Sequence, residues 1–281
     1  MIRTNSISKY EHEVRQGLQE FFNKCRLKMA DSGDLLLCQQ NGFIDYKGYP
    51  CVGIGKEGYN NFQHLNSISY NGIGDLTDDD NYFDTLNSIS FNGTSEYEYS
   101  LRREKNTYLT IWENTYFLRV LTQTINTLNG LAYDWHLDIS QLTPNGKNKY
   151  IRENIIKRLK IVPTFQNIVK FAYDRNIRNA IAHSQYHCVQ GGIMYDNYQS
   201  DEYATLQGLS FEEWEKKYIF TYFIFIGLFQ VLQQFRDEFY FPLTKITPQG
   251  GIPVRIPNGT DSWQDTYLYP NERGDTWRFT K

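Results

Sequence analysis

The feature that most restricts the fold is a long apolar run, Tyr218–Leu232, in the last third of the sequence. It covers about 15 residues, whereas a helix that crosses a bilayer needs about 20. Charged residues flank it on both sides: Glu215, Lys216 and Lys217 before it, and Arg236, Asp237 and Glu238 after it. Because a helix that is apolar on most sides has to be covered by other elements, the run predicts a central core helix and no membrane span.

Local signals fix where this helix begins. Ser210 and Glu213 form a capping box, in which each side chain accepts a hydrogen bond from the other residue's backbone N–H. We therefore expect the helix to start near Ser210 and to continue to about Phe239.

Apolar residues recur at helical spacing in several other segments. Ser8 is a candidate cap of the first helix, Gly130 a candidate end of the second, and Pro163 a candidate stop of the third. We expect helices over 9–30, 101–130 and 147–161, and a further helix that begins near Thr164.

The remaining segments have a different texture. Residues 31–100 are rich in Gly, Asn, Asp and Tyr, which predicts turns and short strands. Residues 186–209 predict a hairpin or loop that turns at Gly191-Gly192. The tail, 241–281, carries five prolines and short aromatic runs, which predicts extended or β structure packed on the helices. The sequence thus predicts a mainly α protein, a single domain over 1–281 with a helical core at about 9–30 and 101–240.

A near-repeat lies inside the first of these segments, at 65–72 and 86–93. Both copies read Leu-Asn-Ser-Ile-Ser, then Tyr or Phe, then Asn-Gly. Asn-Gly is a strong hairpin signal, and two copies are too few for a solenoid, so we expect two similar hairpins. A ligand platform is the alternative.

The net charge of −3 is unevenly distributed. Segment 147–183 holds nine Lys or Arg against two acids, which is +7, so the rest of the chain carries −10. Such polarity is typical of a protein that attracts a polyanion to one face. Ordinary solvated helix faces account for the charges equally well.

Other composition signals exclude several classes of protein. The four cysteines (Cys25, Cys38, Cys51 and Cys188) match neither a metal knuckle nor a dense disulfide framework. The N-terminus lacks the apolar core of a signal peptide, so we expect a cytoplasmic location. The remaining histidines (His12, His64 and His136) lack companions at metal-ligand spacing, and no nucleotide-binding loop stands in a convincing context. We expect no metal and no cofactor.

One string carries chemistry, Arg178-Asn179-Ala-Ile-Ala-His183. It resembles the signature of the HEPN superfamily, in which Arg and a polar residue, often Asn, precede a His after a short gap. An apolar helical run before it and a capped apolar helix after it strengthen the resemblance, which covers about 101–240. The resemblance implies a HEPN-like helical bundle, with 31–100 as a β/loop-rich insertion and 241–281 as an appendage.

The resemblance also implies a metal-independent endoribonuclease, and the chemistry of RNA explains the residue types. The ribose 2′-hydroxyl is the nucleophile, so cleavage needs a base, an acid and positive charge at the phosphate. His183 can be the acid or the base near neutral pH. Arg178 matches two phosphate oxygens with its planar guanidinium, and Asn179 can orient the phosphate or the imidazole. We predict these three residues to be catalytic, and Arg175, Tyr186, His187 and Lys170 to line the RNA cleft.

Helix geometry adds a constraint. Asn179 and His183, four apart, share a helical face, whereas Arg178 and His183 differ by about 140°. The Arg178 and His183 side chains can meet if the helix ends near His183, if the Arg178 side chain bends around the helix, or if a second copy of the chain completes the site. HEPN nucleases are generally dimers, so we predict a homodimer. The resemblance further implies a toxin or antiviral defence effector that acts on RNA, with an antitoxin or sensor as a partner. Some HEPN toxins carry a tyrosine two positions after the histidine, but Gln185 occupies it here, which puts that form of control in doubt.

Three alternatives stay open. Asp174 could pair with Arg178 while His183 caps a helix end, both purely structural roles. The chain could be a non-catalytic HEPN-type module that binds RNA, a nucleotide or a protein. It could also be a purely structural helical dimer.

Overall fold

The computed structural model describes residues 2–53, 67–68, 72–73, 76–79, 81–84, 95–200, 207–259, 262–271 and 276–279. This part of the chain is mainly α, as predicted, with several small sheets. The hairpins predicted from the near-repeat at 65–72 and 86–93 lie outside the described residues, apart from 67–68 and 72.

The α-helices account for most of the described chain. They are α1 (Thr4–Lys28), α2 (Asp34–Gln40), α3 (Ser95–Glu113), α4 (Thr115–Leu128), α5 (Pro144–Tyr150), α6 (Pro163–Ala172), α7 (Arg175–His183), α8 (Phe211–Phe235) and α9 (Phe241–Ile246). A π-helical turn (Ile151–Ile156) and a 3-10 turn (Lys157–Leu159) prolong α5, and a second π-helical turn (Arg236–Tyr240) joins α8 to α9.

The strands are short. They are β1 (Ile2–Arg3), β2 (Phe43–Ile44), β3 (Pro50–Cys51), β4 (Leu76–Thr77), β5 (Tyr186–Val189), β6 (Gly192–Tyr195), β7 (Gly208–Ser210), β8 (Ile252–Pro257), β9 (Trp263–Pro270) and β10 (Trp277–Arg278). β1 and β4 pair in parallel, and every other pairing is antiparallel among the strands described. β5, β6 and β7 form one sheet, and β8, β9 and β10 form another.

The capping box that starts the central helix is confirmed. The backbone N of Ser210 donates to Glu213 Oε2 at 2.8 Å, and the backbone N of Glu213 donates to Ser210 Oγ at 3.1 Å. The helical path continues beyond the predicted end at Phe239 to Ile246, because the π-helical turn carries it into α9. By length and composition Phe211–Ile246 could cross a membrane, but its most apolar stretch is 67% buried, as in a core helix.

Several helix boundaries were wrong. α1 begins at Thr4, so Ser8 lies inside the helix and is not its cap. The helix expected over 101–130 is two helices, because the chain breaks at Asn114, whose backbone N bonds to the Ile111 carbonyl three residues back. This break makes Glu113 the last residue of α3.

Two further boundaries differ for local reasons. The helix expected over 147–161 begins at Pro144, because the Thr143 hydroxyl caps it by accepting from the backbone N of Gly146 at 3.2 Å. It ends at Leu159, and Pro163 is the first residue of α6, a position where the missing N–H is not needed.

Segment 31–100 holds more helix than predicted. The short strands and turns expected there include the hairpin of β2 and β3, but Asp34–Gln40 forms α2, and Ser95 already begins α3. α2 is buried almost throughout, so it lacks the exposed face that makes a helix visible in sequence. The hairpin expected in 186–209 is confirmed as β5 and β6.

The chain divides into two compact units. Unit 1 contains Met1–Gly17, His64–Asn114 and Val162–Ile226, and unit 2 contains Leu18–Gln63, Thr115–Ile161 and Gly227–Lys281. The organisation of the whole chain as a single domain stays a prediction.

Unit 1 has an aromatic core around α3, α7 and the first half of α8. Trp112 donates from Nε1 to Thr221 Oγ1 at 3.2 Å, and its ring packs edge-on against Tyr173 with centroids 5.1 Å apart. Trp214 donates to Glu104 Oε2 at 2.7 Å. These contacts fix α3 next to the segment that carries the RNAIAH string.

Unit 2 contains the C-terminal strands, which confirms the expectation of β structure in the tail. Trp135 Nε1 donates to the Arg255 carbonyl of β8 at 3.0 Å, and the backbone N of Trp277 donates to Gln40 Oε1 at 3.1 Å. The sheet is therefore held to α2 and to the loop after α4.

Candidate functional site

The RNAIAH string lies on α7, a helix of nine residues whose two ends are fixed by local hydrogen bonds. Asp174 caps the start, because its Oδ1 accepts from the backbone N of Asn176 at 2.8 Å and of Ile177 at 3.2 Å. At the other end Ser184 adopts a left-handed backbone with φ 54°, and the backbone N of Gln185 donates to the Ala180 carbonyl at 2.8 Å. His183 is therefore the last helical residue.

A buried tyrosine holds the turn that precedes α7. The Tyr108 hydroxyl of α3 donates to the Ala172 carbonyl at 3.0 Å and accepts from the backbone N of Asp174 at 3.0 Å. Burial raises the pKa of Tyr108 well above its ordinary value, so the hydroxyl keeps its proton. The Tyr108 side chain of α3 thus fixes the orientation of α7 relative to α6.

Arg178 is buried and ion-paired. Its side chain is 5% exposed, and its Nε and Nη2 both bond to Glu113 Oε1. Its Nη1 donates to Asn179 Oδ1 at 2.8 Å. The partner of Arg178 is Glu113, and Asp174, the partner weighed from the sequence, is a helix cap instead. The ion pair fastens α7 to the end of α3.

Asn179 connects this buried pair to the surface. Arginine can only donate, so the contact with Arg178 fixes the Asn179 side-chain oxygen inward and its amide nitrogen, a donor, outward. Asn179 is half-buried. Its amide nitrogen has no hydrogen-bond partner among the residues described.

His183 lies one helical turn beyond Asn179 on the same face. The imidazole is exposed, and it makes no hydrogen bond with any residue in the described part of the chain. The structure brings Arg178 and Asn179 together, and Asn179 and His183 onto one face. The Arg178 guanidinium is bonded to Glu113 of α3, so it does not meet His183 within one chain.

The four residues expected to line an RNA cleft occupy different surroundings. Arg175 Nη2 donates to the Gln199 carbonyl at 3.3 Å. The Tyr186 hydroxyl accepts a hydrogen bond from Lys105 Nζ at 2.6 Å, and the same ammonium contacts the face of the Tyr186 ring. His187 Nδ1 is 2.8 Å from Asp196 Oδ1. Lys170 is exposed on α6 and lines a cavity beside α7. Tyr186 and His187, on β5, directly follow the end of α7.

The basic segment 147–183 is divided between the units. Six of its nine basic residues belong to unit 2, and only Lys170, Arg175 and Arg178 belong to unit 1. Arg178 is neutralised by Glu113, which leaves Lys170 and Arg175 as the cations of this segment that unit 1 offers to a polyanion. A single basic face over the whole segment stays a prediction.

Within the described residues, no group of three or more His, Cys, Asp or Glu side chains could hold a metal ion. Comparison of the chain with models of protein families, with curated proteins and with solved structures found no match. The HEPN resemblance therefore depends on the RNAIAH string and on the helices around it.

Sequence reasoning missed one residue of this site, Glu113. It is 65 positions from Arg178, and nothing near it marks a partner. A glutamate at the end of a long amphipathic helix reads as an ordinary surface residue until the helices are packed.

Proposed function

We propose that this protein is a metal-independent endoribonuclease in which His183 transfers the proton and the Asn179 amide binds the scissile phosphate. The observation that carries the proposal is the hydrogen-bonded chain from Glu113 through Arg178 to Asn179. It ends on an outward-facing amide donor that shares a helical face with an exposed imidazole. A donor fixed by a buried ion pair needs no reorganisation when charge develops on a phosphate oxygen.

The reaction follows from these groups. The His183 imidazole removes the proton of the ribose 2′-hydroxyl, and the 2′-oxygen attacks phosphorus. The bond from phosphorus to the 5′-oxygen breaks, which leaves a 2′,3′-cyclic phosphate and a 5′-hydroxyl. The 5′-oxygen takes a proton as it leaves.

Arg178 has a positioning role in this mechanism, because its guanidinium is occupied by Glu113 and Asn179. This role differs from the direct phosphate contact expected from the sequence. The positive charge near the phosphate then comes from the protonated imidazole and from neighbouring cations such as Arg175.

A second copy of the chain completes the proposal. One imidazole cannot be the base and the acid in the same step, so concerted catalysis needs a separate acid for the 5′-oxygen, and a homodimer with two motifs facing one cleft supplies a second histidine for that role. By the HEPN resemblance, we also propose a toxin or antiviral defence effector in the cytoplasm, controlled by an antitoxin or sensor.

The test is cleavage of RNA in EDTA by the wild type and by His183→Ala, Asn179→Ala and the matched control His12→Ala. His12 is another exposed histidine on a helix of unit 1, so its loss should leave activity unchanged. General acid–base catalysis is worth about 100- to 10,000-fold, so we expect His183→Ala to fall by that range and Asn179→Ala by about tenfold or more. Products should end in a cyclic phosphate and a 5′-hydroxyl, and 2′-deoxy substrate should remain intact.

Equal activity in the wild type and in His183→Ala would rule the mechanism out, as would products with a 5′-phosphate. Sedimentation of the same samples tests the dimer, because an active monomer would contradict the reaction with two histidines.

One observation favours a second candidate, a non-catalytic module that binds RNA, a nucleotide or a protein. The pairing of Arg178 with Glu113 removes the guanidinium from any phosphate at the surface. This candidate predicts that the wild type binds RNA without cutting it, and that His183→Ala binds as well as the wild type.

A further inference from the structure

A cavity of about 290 Å³ lies in unit 1 beside the first half of α7. Its floor contains Ile177, Tyr195, Leu209 and Lys217, which are all buried. Its rim carries the exposed residues Lys170 and Glu213, whose charges are opposite. Lys170, which the sequence also places at the RNA cleft, lies on this rim, but Arg178, Asn179 and His183 do not line the cavity.

The Tyr195 hydroxyl is the first of two polar groups in the floor whose hydrogen-bonding capacity is not fully used. The residue is 4% exposed, and its hydroxyl oxygen is buried with no hydrogen-bond partner among the residues described. Buried polar atoms in native proteins almost always have a partner, so an orphaned hydroxyl at a cavity wall calls for an explanation. Burial raises the pKa of Tyr195, and the carboxylates of Asp174 and Glu213 add to the effect. The hydroxyl thus keeps its proton and is a donor.

Lys217 supplies the second group. Its side chain is 8% exposed, its Nζ donates to the Phe171 carbonyl, and the ammonium lies 4.5 Å from the centroid of the Phe171 ring. An ammonium has three donors, and only the bond to Phe171 is seen in the described part of the chain. Burial lowers the pKa of Lys217, although Asp174 and Glu213 act in the opposite direction. A bound anion would favour the charged form.

These groups define the ligand that would fit. The Asp174 and Glu213 carboxylates, which also line the cavity, are balanced by Lys170 and Lys217. The two donors of the floor, a phenol and an ammonium, call for an acceptor with negative charge. Ile177, Leu209 and the Phe171 ring form apolar walls, which call for an apolar body. The volume equals that of about ten water molecules and lies at the lower limit of ligand pockets, so a molecule with one ring fits, whereas a nucleic-acid strand does not.

We propose that this cavity is a binding site for a small anion, a carboxylate or a phosphate carried on a single apolar ring. The anionic oxygens accept hydrogen bonds from Tyr195 Oη and Lys217 Nζ, and the ring packs against Ile177 and Leu209. Carboxylates and phosphates can both accept these hydrogen bonds, and the test distinguishes the two headgroups.

The test titrates the protein, without RNA, with benzoate, phenyl phosphate and the neutral benzyl alcohol at concentrations up to the millimolar range. Binding is followed by ligand-observed NMR and by the rise in Tm. We expect one of the two anions to bind at least tenfold more tightly than benzyl alcohol, and the preferred anion identifies the headgroup. Binding of neither anion would overturn the proposal.

Variants then locate the ligand. Tyr195→Phe should weaken the preferred anion about tenfold without affecting benzyl alcohol. Because the hydroxyl has no partner, the same variant without ligand should be at least as stable as the wild type. Leu209→Trp should fill the cavity and abolish binding of every probe. An anion that binds Tyr195→Phe and Leu209→Trp as tightly as the wild type occupies another site, and the proposal is then wrong.

Discussion

Two buried charged groups, Arg178 in unit 1 and Asp34 in unit 2, are stabilised in different ways. Arg178 meets an opposite charge, Glu113, and a side-chain amide. Asp34 is 2% exposed and has no cationic partner among the residues described; its carboxylate accepts from the backbone N of Asp31 at 2.9 Å and of Tyr133 at 3.2 Å. Burial consequently raises the pKa of Asp34 to about 6, from an ordinary value of 3.8.

The difference shows what each arrangement can do for the protein. A buried charge with an opposite partner links two helices, and it destabilises the fold severely only when one partner is removed. A buried carboxyl that lacks a cationic partner titrates within the range of pH that proteins encounter, so its contribution to stability depends on pH. The first arrangement supports a fixed site, whereas the second makes unit 2 lose stability as the pH rises.

The largest effect on stability is expected when a substitution breaks the ion pair of Arg178 and Glu113 in unit 1. Arg178→Met leaves the Glu113 carboxylate without its cation in a site where it is 28% exposed, and should lower the free energy of unfolding by about 3–4 kcal/mol. Urea denaturation measures the change. Glu113→Gln, which keeps an acceptor for Arg178, should lower it less. A loss below about 1 kcal/mol in Arg178→Met would mean that the pair is solvated, as in surface ion pairs.

The next largest effect is the pH dependence of the stability that Asp34 contributes. Because the pKa of Asp34 is higher in the folded protein than in the unfolded chain, the folded state binds the proton more tightly. The contribution of Asp34 to stability is therefore fully present below about pH 4 and is lost as the pH rises through about 6. The loss amounts to about 2–3 kcal/mol.

Asp34→Asn cannot titrate and should lack this loss. Urea unfolding of the wild type and of Asp34→Asn at several pH values between about 4 and 7 gives the difference. Curves that stay parallel across this range would show that the Asp34 carboxyl is hydrated in the folded protein.

The smallest effect concerns a carboxylate that lies between the two cases. Asp174 is half-buried, and it accepts from two backbone amides at the start of α7. Asp174→Ala should lower the free energy of unfolding by about 1 kcal/mol, the usual value for a helix cap, and Asp174→Asn should restore most of it. Thermal unfolding of both variants checks this order. Equal losses in both would indicate that charge, and not the cap bond, is what matters there.

Much of the fold was predictable where the deciding interactions are local. The capping box of Ser210 and Glu213 spans three residues, so it could be recognised directly and is confirmed. The break at Asn114 left no comparable signal, because α3 and α4 continue the same apolar spacing on both sides of it. α2 was missed because burial on most sides removes periodicity.

In the candidate site, too, the local features could be predicted and the long-range contacts could not. Helical periodicity alone places Asn179 and His183 on one face of α7, and the helix extends over both residues. The burial of Arg178 depends on Glu113, which packing brings from 65 residues away. The cavity at Tyr195 is likewise assembled from α6, α7, β6, β7 and α8, and no segment of the sequence contains enough of it to be recognised.

The shortness of α7 limits how its two ends can communicate. Nine residues rise about 13 Å, with the cavity near the first turn and His183 on the last. Counterions at physiological ionic strength screen charges over about 8 Å, so two anions bound at opposite ends would scarcely feel each other's field. A ligand in the cavity could therefore influence the imidazole only by moving α7 as a rigid body relative to α3, to which the ion pair of Arg178 and Glu113 holds it.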